Sequence, residues 1–219
     1  MFAKLAGLMG IIGSLLGISG VLLSAFLCGV GCAEGIGDQY NSSWGPNGSF
    51  SWKTNALSDL GISNVANIFN YPLIFAGILN FIFGVGFVKV YARTILSYLG
   101  GFIMLLGVTS LSLIGIFTEA YGVLHTYVSM GFFIFVPVSI IIIGITFVRN
   151  TLITKGYYSI IAGSVALITI SSYFTGWHSM LGLGFAVPEL IEALILSGWV
   201  VWMGFQLLDF HSMKDNTIT

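Results

Sequence analysis

Long apolar runs alternate with short polar turns along the chain. There are six such runs, at residues 5–31, 67–88, 94–117, 123–148, 156–176 and 188–208. A helix needs about 20 apolar residues to cross the hydrocarbon core of a bilayer, and each run has that length. Short turns favour antiparallel packing of consecutive helices. The pattern predicts an all-α polytopic membrane protein, with residues 1–219 forming one domain of six transmembrane helices in an up-down bundle.

The first run begins just after Lys4, as the apolar core of a signal peptide also would. That core is only about 7–15 residues long, and this run is nearly twice that length, so we expect a retained span. Glycines recur within it every three or four residues and lie on one helix face, which favours close packing against a neighbouring helix. These glycines are Gly10, Gly13, Gly17 and Gly20.

One long polar segment, residues 33–66, follows the first run. Loops of this length without structure of their own are uncommon, so we expect this one to fold over the helix ends. Trp44 and Trp52 within it suit the membrane–water interface. Glycosylation-type sequons at Asn41 and Asn47 favour an external position for the loop.

The composition agrees with lipid as the main solvent. Charged residues make up 7% of the chain and hydrophobic residues 57%, whereas a soluble domain carries about 25% charged residues. The net charge is −1 and the chain has no basic tract. Nucleic-acid binding is therefore excluded on electrostatic grounds.

The basic residues indicate the orientation. Lys53 falls in the long loop, whereas the other six fall on the opposite side of the predicted spans: Lys4, Lys89, Arg93, Arg149, Lys155 and Lys214. Cytoplasmic loops carry an excess of Lys and Arg. We therefore expect a multi-pass protein of the cell membrane with both termini in the cytoplasm.

Candidate chemistry is confined to the outer ends of the spans, where six ionisable residues fall: Asp59, Glu119, His125, His178, Glu189 and Glu192. Helix packing could gather them into one polar cluster at the outer face. Carboxylates and imidazoles suit a divalent metal that activates water, the one cofactor that this composition suggests. No single helix carries a diagnostic metal-binding spacing, however. The alternative, which we favour, is that each residue marks the point where a helix leaves the lipid.

Glu192 is the exception, because it lies a turn deeper than Glu189 and an apolar run follows it. A carboxylate that far into a span is costly unless it has a partner or meets water, so a functional role and an ordinary one are equally open. Cys28 and Cys32 are one helical turn apart. The default interpretation is two small buried apolar side chains; a disulfide is possible, although this spacing strains its geometry.

Five short motifs follow one another along the chain: Asn55-Ala-Leu-Ser-Asp-Leu-Gly61, Ile68-Phe-Asn70, Ala76-Gly-Ile78, Gly115-Ile-Phe-Thr-Glu119 before His125, and Ala186-Val-Pro-Glu189. In this order they resemble the family catalogued as domain of unknown function 998. The resemblance implies a six-span prokaryotic membrane protein, often archaeal, without an assigned activity. It also implies a distant similarity to the Frag/DRAM/Sfk group, some members of which are linked to lipid-anchor remodelling. The positions that match are Ser58, Asp59, Glu119, His125 and Glu189, and the resemblance gives them no roles.

These observations leave three functions open. The first is a protein that binds or remodels membrane lipid at the outer leaflet through the acidic and histidine cluster, whether or not it is an enzyme. The second is a non-catalytic subunit or scaffold of a membrane complex, with a membrane-protein partner or a second copy bound through the glycine-rich helix faces. A small transporter is the third, and it is less favoured because no charged residue lies at mid-membrane and no pair of broken helices is evident.

Overall fold

The computed structural model describes residues 1–29 and 48–215, except for the side chains of residues 173, 174, 178 and 210–215. The described chain is helical: α1 Phe2–Cys28, α2 Ala66–Tyr91, α3 Ile95–Ile116, α4 Val123–Arg149, α5 Ile153–Thr175, α6 Trp177–Met180 and α7 Ala186–Asp215. Two 3₁₀ helices, Leu57–Ile62 and Glu119–Tyr121, are called here the loop 3₁₀ helix and the turn 3₁₀ helix.

Six helices of the described chain are long and apolar enough to cross a membrane. The candidate spans are Phe2–Cys28, Ala66–Tyr91, Ile95–Ile116, Val123–Arg149, Ile153–Ser172 and Ala186–Asp209. The prediction of an all-α, multi-pass membrane protein is thus confirmed. The short helix α6 was not predicted; it lies in the connection between the last two spans and is flanked by Gly176 and Gly182, whose φ angles are 74° and 70°.

The six long helices form a closed ring. Each packs against the next in sequence from α1 to α5, α5 packs against α7, and α7 returns to α1. Consecutive helices are therefore antiparallel neighbours, as expected of helices joined by short turns.

The predicted glycine face of α1 lies against α2. A Cβ atom added to Gly10 would lie 2.6 Å from the Phe83 ring, and one added to Gly13 would lie 2.8 Å from Leu79 Cβ. Such distances are too short for any side chain, so the helix backbones approach as closely as glycine allows. The prediction of close packing is confirmed, and this face is buried within the chain.

The ring closes between α1 and α7 by the same means. A Cβ atom on Gly7 would lie 2.5 Å from the Gly204 carbonyl oxygen. Nearer the start of α7, the fully buried Trp199 donates a hydrogen bond of 2.9 Å from Nε1 to Ser159 Oγ on α5. Helix α7 is therefore fixed to both of its neighbours.

The two ends of the bundle differ in charge. The acidic end is the one where α1 ends and α2 begins, and it carries Asp59, Glu119 and Glu189. The basic end is the opposite one, where helix ends and turns carry the basic residues Lys4, Lys89, Arg93, Arg149 and Lys155.

The described part of the long loop folds over the acidic end, as predicted. Its Phe50 N–H donates to the Cys28 carbonyl of α1 at 2.8 Å, and its Asn55 carbonyl accepts from Ala186 N–H of α7 at 2.9 Å. The Gly61 carbonyl accepts from Asn70 Nδ2 of α2 at 2.8 Å. Hydrogen bonds to three helices hold this segment in place.

Several sequence predictions fall outside the described residues. These are the interface position of Trp44, the sequons at Asn41 and Asn47, and Cys32. Cys28 is disulfide-bonded in the structure.

Candidate functional site

Asn55 is the buried anchor of the site. Its Oδ1 accepts a hydrogen bond of 2.9 Å from Ser51 N–H, and its Nδ2 donates one of 2.5 Å to Asp59 Oδ2. Both ends of the side-chain amide are therefore used, and the fully buried side chain fixes the position of Asp59.

Asp59 lies in the first turn of the loop 3₁₀ helix. Its Oδ2 also accepts from Ala56 N–H, at 3.1 Å, and so satisfies a backbone donor at the start of that helix. Asp59 therefore caps this short helix. Two N–H donors on one oxygen hold the carboxyl group in a single orientation.

Glu119 approaches Asp59 from the other side of the acidic end, on the turn 3₁₀ helix between α3 and α4. Its side chain is hydrogen-bonded to that of Asp59 and lies near the Ser58 hydroxyl, and its Oε2 is buried without a donor among the described residues. Burial raises the pKa of Glu119 to about 8; the bond to Asp59 and the charges of Asp59 and Glu189 act in the same direction.

His125 lies in the first turn of α4 and is buried. Its Nδ1 lies 2.8 Å from the Phe117 carbonyl oxygen and its Nε2 lies 3.3 Å from Ser129 Oγ. The carbonyl can only accept, so Nδ1 carries the proton and Nε2 accepts from the serine hydroxyl. Both ring nitrogens are thus engaged within the protein.

Glu189 lies in the first turn of α7. Its Oε2 accepts a hydrogen bond of 2.6 Å from Leu57 N–H, the first residue of the loop 3₁₀ helix. The carboxylate therefore joins α7 to the loop, and its position near a helix N-terminus is electrostatically favourable.

A cavity of about 290 Å³ connects Glu119, His125 and Glu189. We call it the rim cavity. Its polar lining comes from Ser58, Glu119, His125, Thr126, Ser129 and Glu189, and its apolar lining includes Met130, Phe133, Ile134 and Ile170. The cavity follows α4 from Gly122 to Ile134, about 18 Å at the rise of an α-helix. Its polar groups lie at the end of the bundle and its apolar groups deeper.

A second cavity of about 80 Å³ lies behind the first, and four residues line both: Ser58, Ser129, Phe133 and Glu189. It reaches Ser14 and Asn80, in the middle of α1 and α2, where Ser14 Oγ donates to Asn80 Oδ1 at 3.4 Å. Asn80 thus has the interhelical partner that a buried amide requires.

The structure brings together four of the six candidate residues of the sequence, Asp59, Glu119, His125 and Glu189. The side chain of His178, on α6, is outside the described part of the structure. Among the described side chains, no group of three or more His, Cys, Asp or Glu residues is arranged to hold a metal ion. The hydrogen bonds of His125 already use both of its ring nitrogens, the atoms through which it would bind a metal.

Glu192 is fully buried and so faces the bundle interior. It does not line the rim cavity, although it interacts electrostatically with Glu189. The sequence makes such a carboxylate costly unless it has a partner or meets water, and among the described residues neither carboxylate oxygen has a hydrogen-bond partner.

Two residues of the site had not been singled out from the sequence, Asn55 and Ser129. Each is four positions from a candidate residue, Asn55 from Asp59 and Ser129 from His125. For Ser129 the signal was available, because residues four apart on a helix share a face. For Asn55 it was not, since its contact depends on the fold of the loop.

Comparison with protein families gives one match. The family model described as "Protein of unknown function (DUF998)" matches residues 42–206, well over half of the chain. The matched region contains Asp59, Glu119, His125 and Glu189. No curated protein and no solved structure matches the chain.

Proposed function

The chain belongs to the DUF998 family, and we propose on that premise that it binds a membrane amphiphile in the rim cavity. The polar group of the ligand lies among Glu119, His125 and Glu189, and its hydrocarbon chain follows α4 toward Ile134. The observation that carries this proposal is the change from polar to apolar lining along one helix, which matches the two halves of an amphiphile.

The hydrogen-bond inventory of the cavity defines the polar group. Two donors of the lining are already used, because His125 donates to the Phe117 carbonyl and the Ser129 hydroxyl donates to His125 Nε2. Glu119 Oε2 is a buried acceptor that has no donor among the described residues. A hydroxyl or ammonium headgroup would supply one, whereas a fully ionised phosphate would not.

The volume limits the size of the ligand. Ligand pockets are typically about 300–1,000 Å³, and the rim cavity is about 290 Å³. It holds a headgroup and the beginning of one chain, with the rest of a longer lipid outside.

The division of charge between the two ends supports an orientation with the acidic end at the outer leaflet of the cell membrane and both termini in the cytoplasm. Cysteine substitutions at Ser49 and Asn216, labelled with a membrane-impermeant reagent, test it. Labelling of intact cells at position 49 alone is expected, and labelling of both positions would contradict the orientation.

Binding is tested with ligands that share one alkyl chain and differ in the headgroup. The purified protein should be stabilised against heat by an alkyl glycoside or alkylamine and not by the alkyl phosphate. Met130→Trp fills the cavity and should abolish the effect. Tyr127→Trp, on the exposed face of α4, is the matched control and should leave it intact. Equal stabilisation of both variants would overturn the proposal and favour a scaffold role.

A further inference from the structure

The bond between Asp59 and Glu119 needs a hydrogen atom. Ionised carboxylates only accept hydrogen bonds, so two carboxyl groups can be bonded to each other only when one of them is protonated. Asn55 Nδ2 and Ala56 N–H both donate to Asp59 Oδ2. Asp59 is thus bound as an acceptor, and the hydrogen of the pair lies on Glu119.

The surroundings favour retention of this proton. Burial is the main reason that the pKa of Glu119 is raised, and the carboxylate of Glu189 on α7 adds to the effect. The hydroxyl of Ser58 opposes it. His125, on α4, is the other titratable group that lines the rim cavity, and no Lys or Arg is among the described residues of that lining.

The bond also connects two separate parts of the fold. Asp59 belongs to the loop 3₁₀ helix and Glu119 to the turn 3₁₀ helix, and these two short helices touch at the acidic end. Ser58 and Glu119 line the rim cavity from the two sides of this contact. Whatever separates Asp59 from Glu119 therefore widens the polar end of the cavity.

We propose that Asp59 and Glu119 form a proton-binding site, and that the one proton held between them keeps the loop 3₁₀ helix closed against the turn 3₁₀ helix. Release of that proton to water leaves two carboxylates at hydrogen-bonding distance, where they repel each other, and the contact opens. The site exists whether or not the cavity takes an amphiphile, so its failure and the failure of amphiphile binding are separate results.

Hydrogen–deuterium exchange of the full chain in detergent micelles tests the site, with rates corrected for the intrinsic effect of pH. When the pH is raised past the pKa of Glu119, the amides of residues 57–62 and 119–121 should exchange roughly tenfold faster or more, since hydrogen bonds to charged groups are worth at least that factor. Amides at the basic end, in residues 95–99, should not respond.

Glu119→Gln separates a proton site from a merely structural contact. The glutamine amide donates to the Asp59 carboxylate at every pH, so exchange in both segments should become independent of pH and stay slow. An equal response to pH in wild type and Glu119→Gln would overturn the proposal.

Infrared spectroscopy provides a second measurement that does not depend on loop motion. The carbonyl stretch of a protonated carboxyl group should be present in wild type at neutral pH and decrease in Glu119→Gln. Glu192→Gln is the control for a buried acid outside the cavity, and it should leave the contribution of Glu119 to the pH-dependent band unchanged. A pH-dependent band of the same size in wild type and Glu119→Gln would rule out the site.

Discussion

The side-chain amide of Asn55 holds Asp59 in place, with Nδ2 2.5 Å from Asp59 Oδ2. The same side chain accepts from Ser51 N–H, and the Asn55 carbonyl accepts from Ala186 N–H of α7. One buried residue thus links the loop, the acidic pair and the last span.

Asn55→Ala should therefore destabilise the protein. The substitution removes the hydrogen bonds to Ser51 N–H and to the buried Asp59 carboxyl group, and loss of a partner by a buried polar group costs about 1–3 kcal/mol. Thermal unfolding in detergent measures the effect. Asn64→Ala, at an exposed asparagine of the same loop, is the control and should stay within about 0.5 kcal/mol of wild type. Equal stability of the two variants would mean that the loop contributes nothing to the fold.

Gly13→Ala should destabilise the contact between α1 and α2. The added Cβ would lie 2.8 Å from Leu79 Cβ and 3.2 Å from the Ala76 carbonyl oxygen, so the helices must move apart. Gly198→Ala on α7 is the matched control, because nothing lies within 4 Å of its added Cβ. We expect a lower melting temperature for the first variant and an unchanged or higher one for the second. The opposite order would show that α1 does not pack closely against α2.

The contact between α1 and α2 shows how much of the fold the sequence predicts. The glycine face of α1 was predictable, because helical periodicity alone places Gly10, Gly13, Gly17 and Gly20 together. The neighbours that cover it, Phe83 and Leu79, were not, since periodicity says nothing about which helix lies opposite.

The candidate site, too, could be predicted from the sequence only in part. Asp59, Glu119, His125 and Glu189 could be assigned to one end of the bundle from the order of spans. The ring closure between α1 and α7 and the fold of the loop determine which of them touch, and both depend on contacts between residues distant in sequence. Hence the bond between Asp59 and Glu119 could not be predicted, and neither could the isolation of Glu192 from the cavity.

The thermal stability of the protein should fall as the pH rises from mildly acidic to mildly alkaline. The pKa of Glu119 is raised from an ordinary value of 4.5 to about 8 in the folded state. The folded protein therefore binds this proton more tightly than the unfolded chain does. The resulting stabilisation is complete below pH 4.5 and is lost as the pH rises to about 8. Melting temperatures across this range should decline more steeply in wild type than in Glu119→Gln, and parallel curves would exclude this contribution.

The His125 side chain should be replaceable by asparagine and not by glutamine. Its Nδ1 donates to the Phe117 carbonyl at 2.8 Å, and so fixes the start of α4 to the end of α3. The amide nitrogen of asparagine can occupy nearly the position of Nδ1, whereas that of glutamine lies nearer to Nε2. We expect His125→Asn to retain the melting temperature, and His125→Gln to lose the bond, worth about 0.5–1.5 kcal/mol. A loss of equal size in both variants would assign the stabilisation to Nε2 and Ser129 instead.

Glu192→Leu should stabilise the fold. The carboxyl group is fully buried, and neither oxygen has a hydrogen-bond partner among the described residues. A buried polar group in this situation costs about 1–3 kcal/mol by mutational measures. Leucine removes that cost and extends the buried apolar stripe that α7 continues with Leu196, Trp199 and Met203. Glu192→Gln is the matched control: its amide has the same unmet need for partners, so it should bring no comparable gain. Thermal unfolding of the three proteins in one detergent gives the order. If leucine lowers the melting temperature while glutamine preserves it, the carboxyl group has a polar partner, such as bound water or the His178 side chain, and Glu192 then belongs to the functional site.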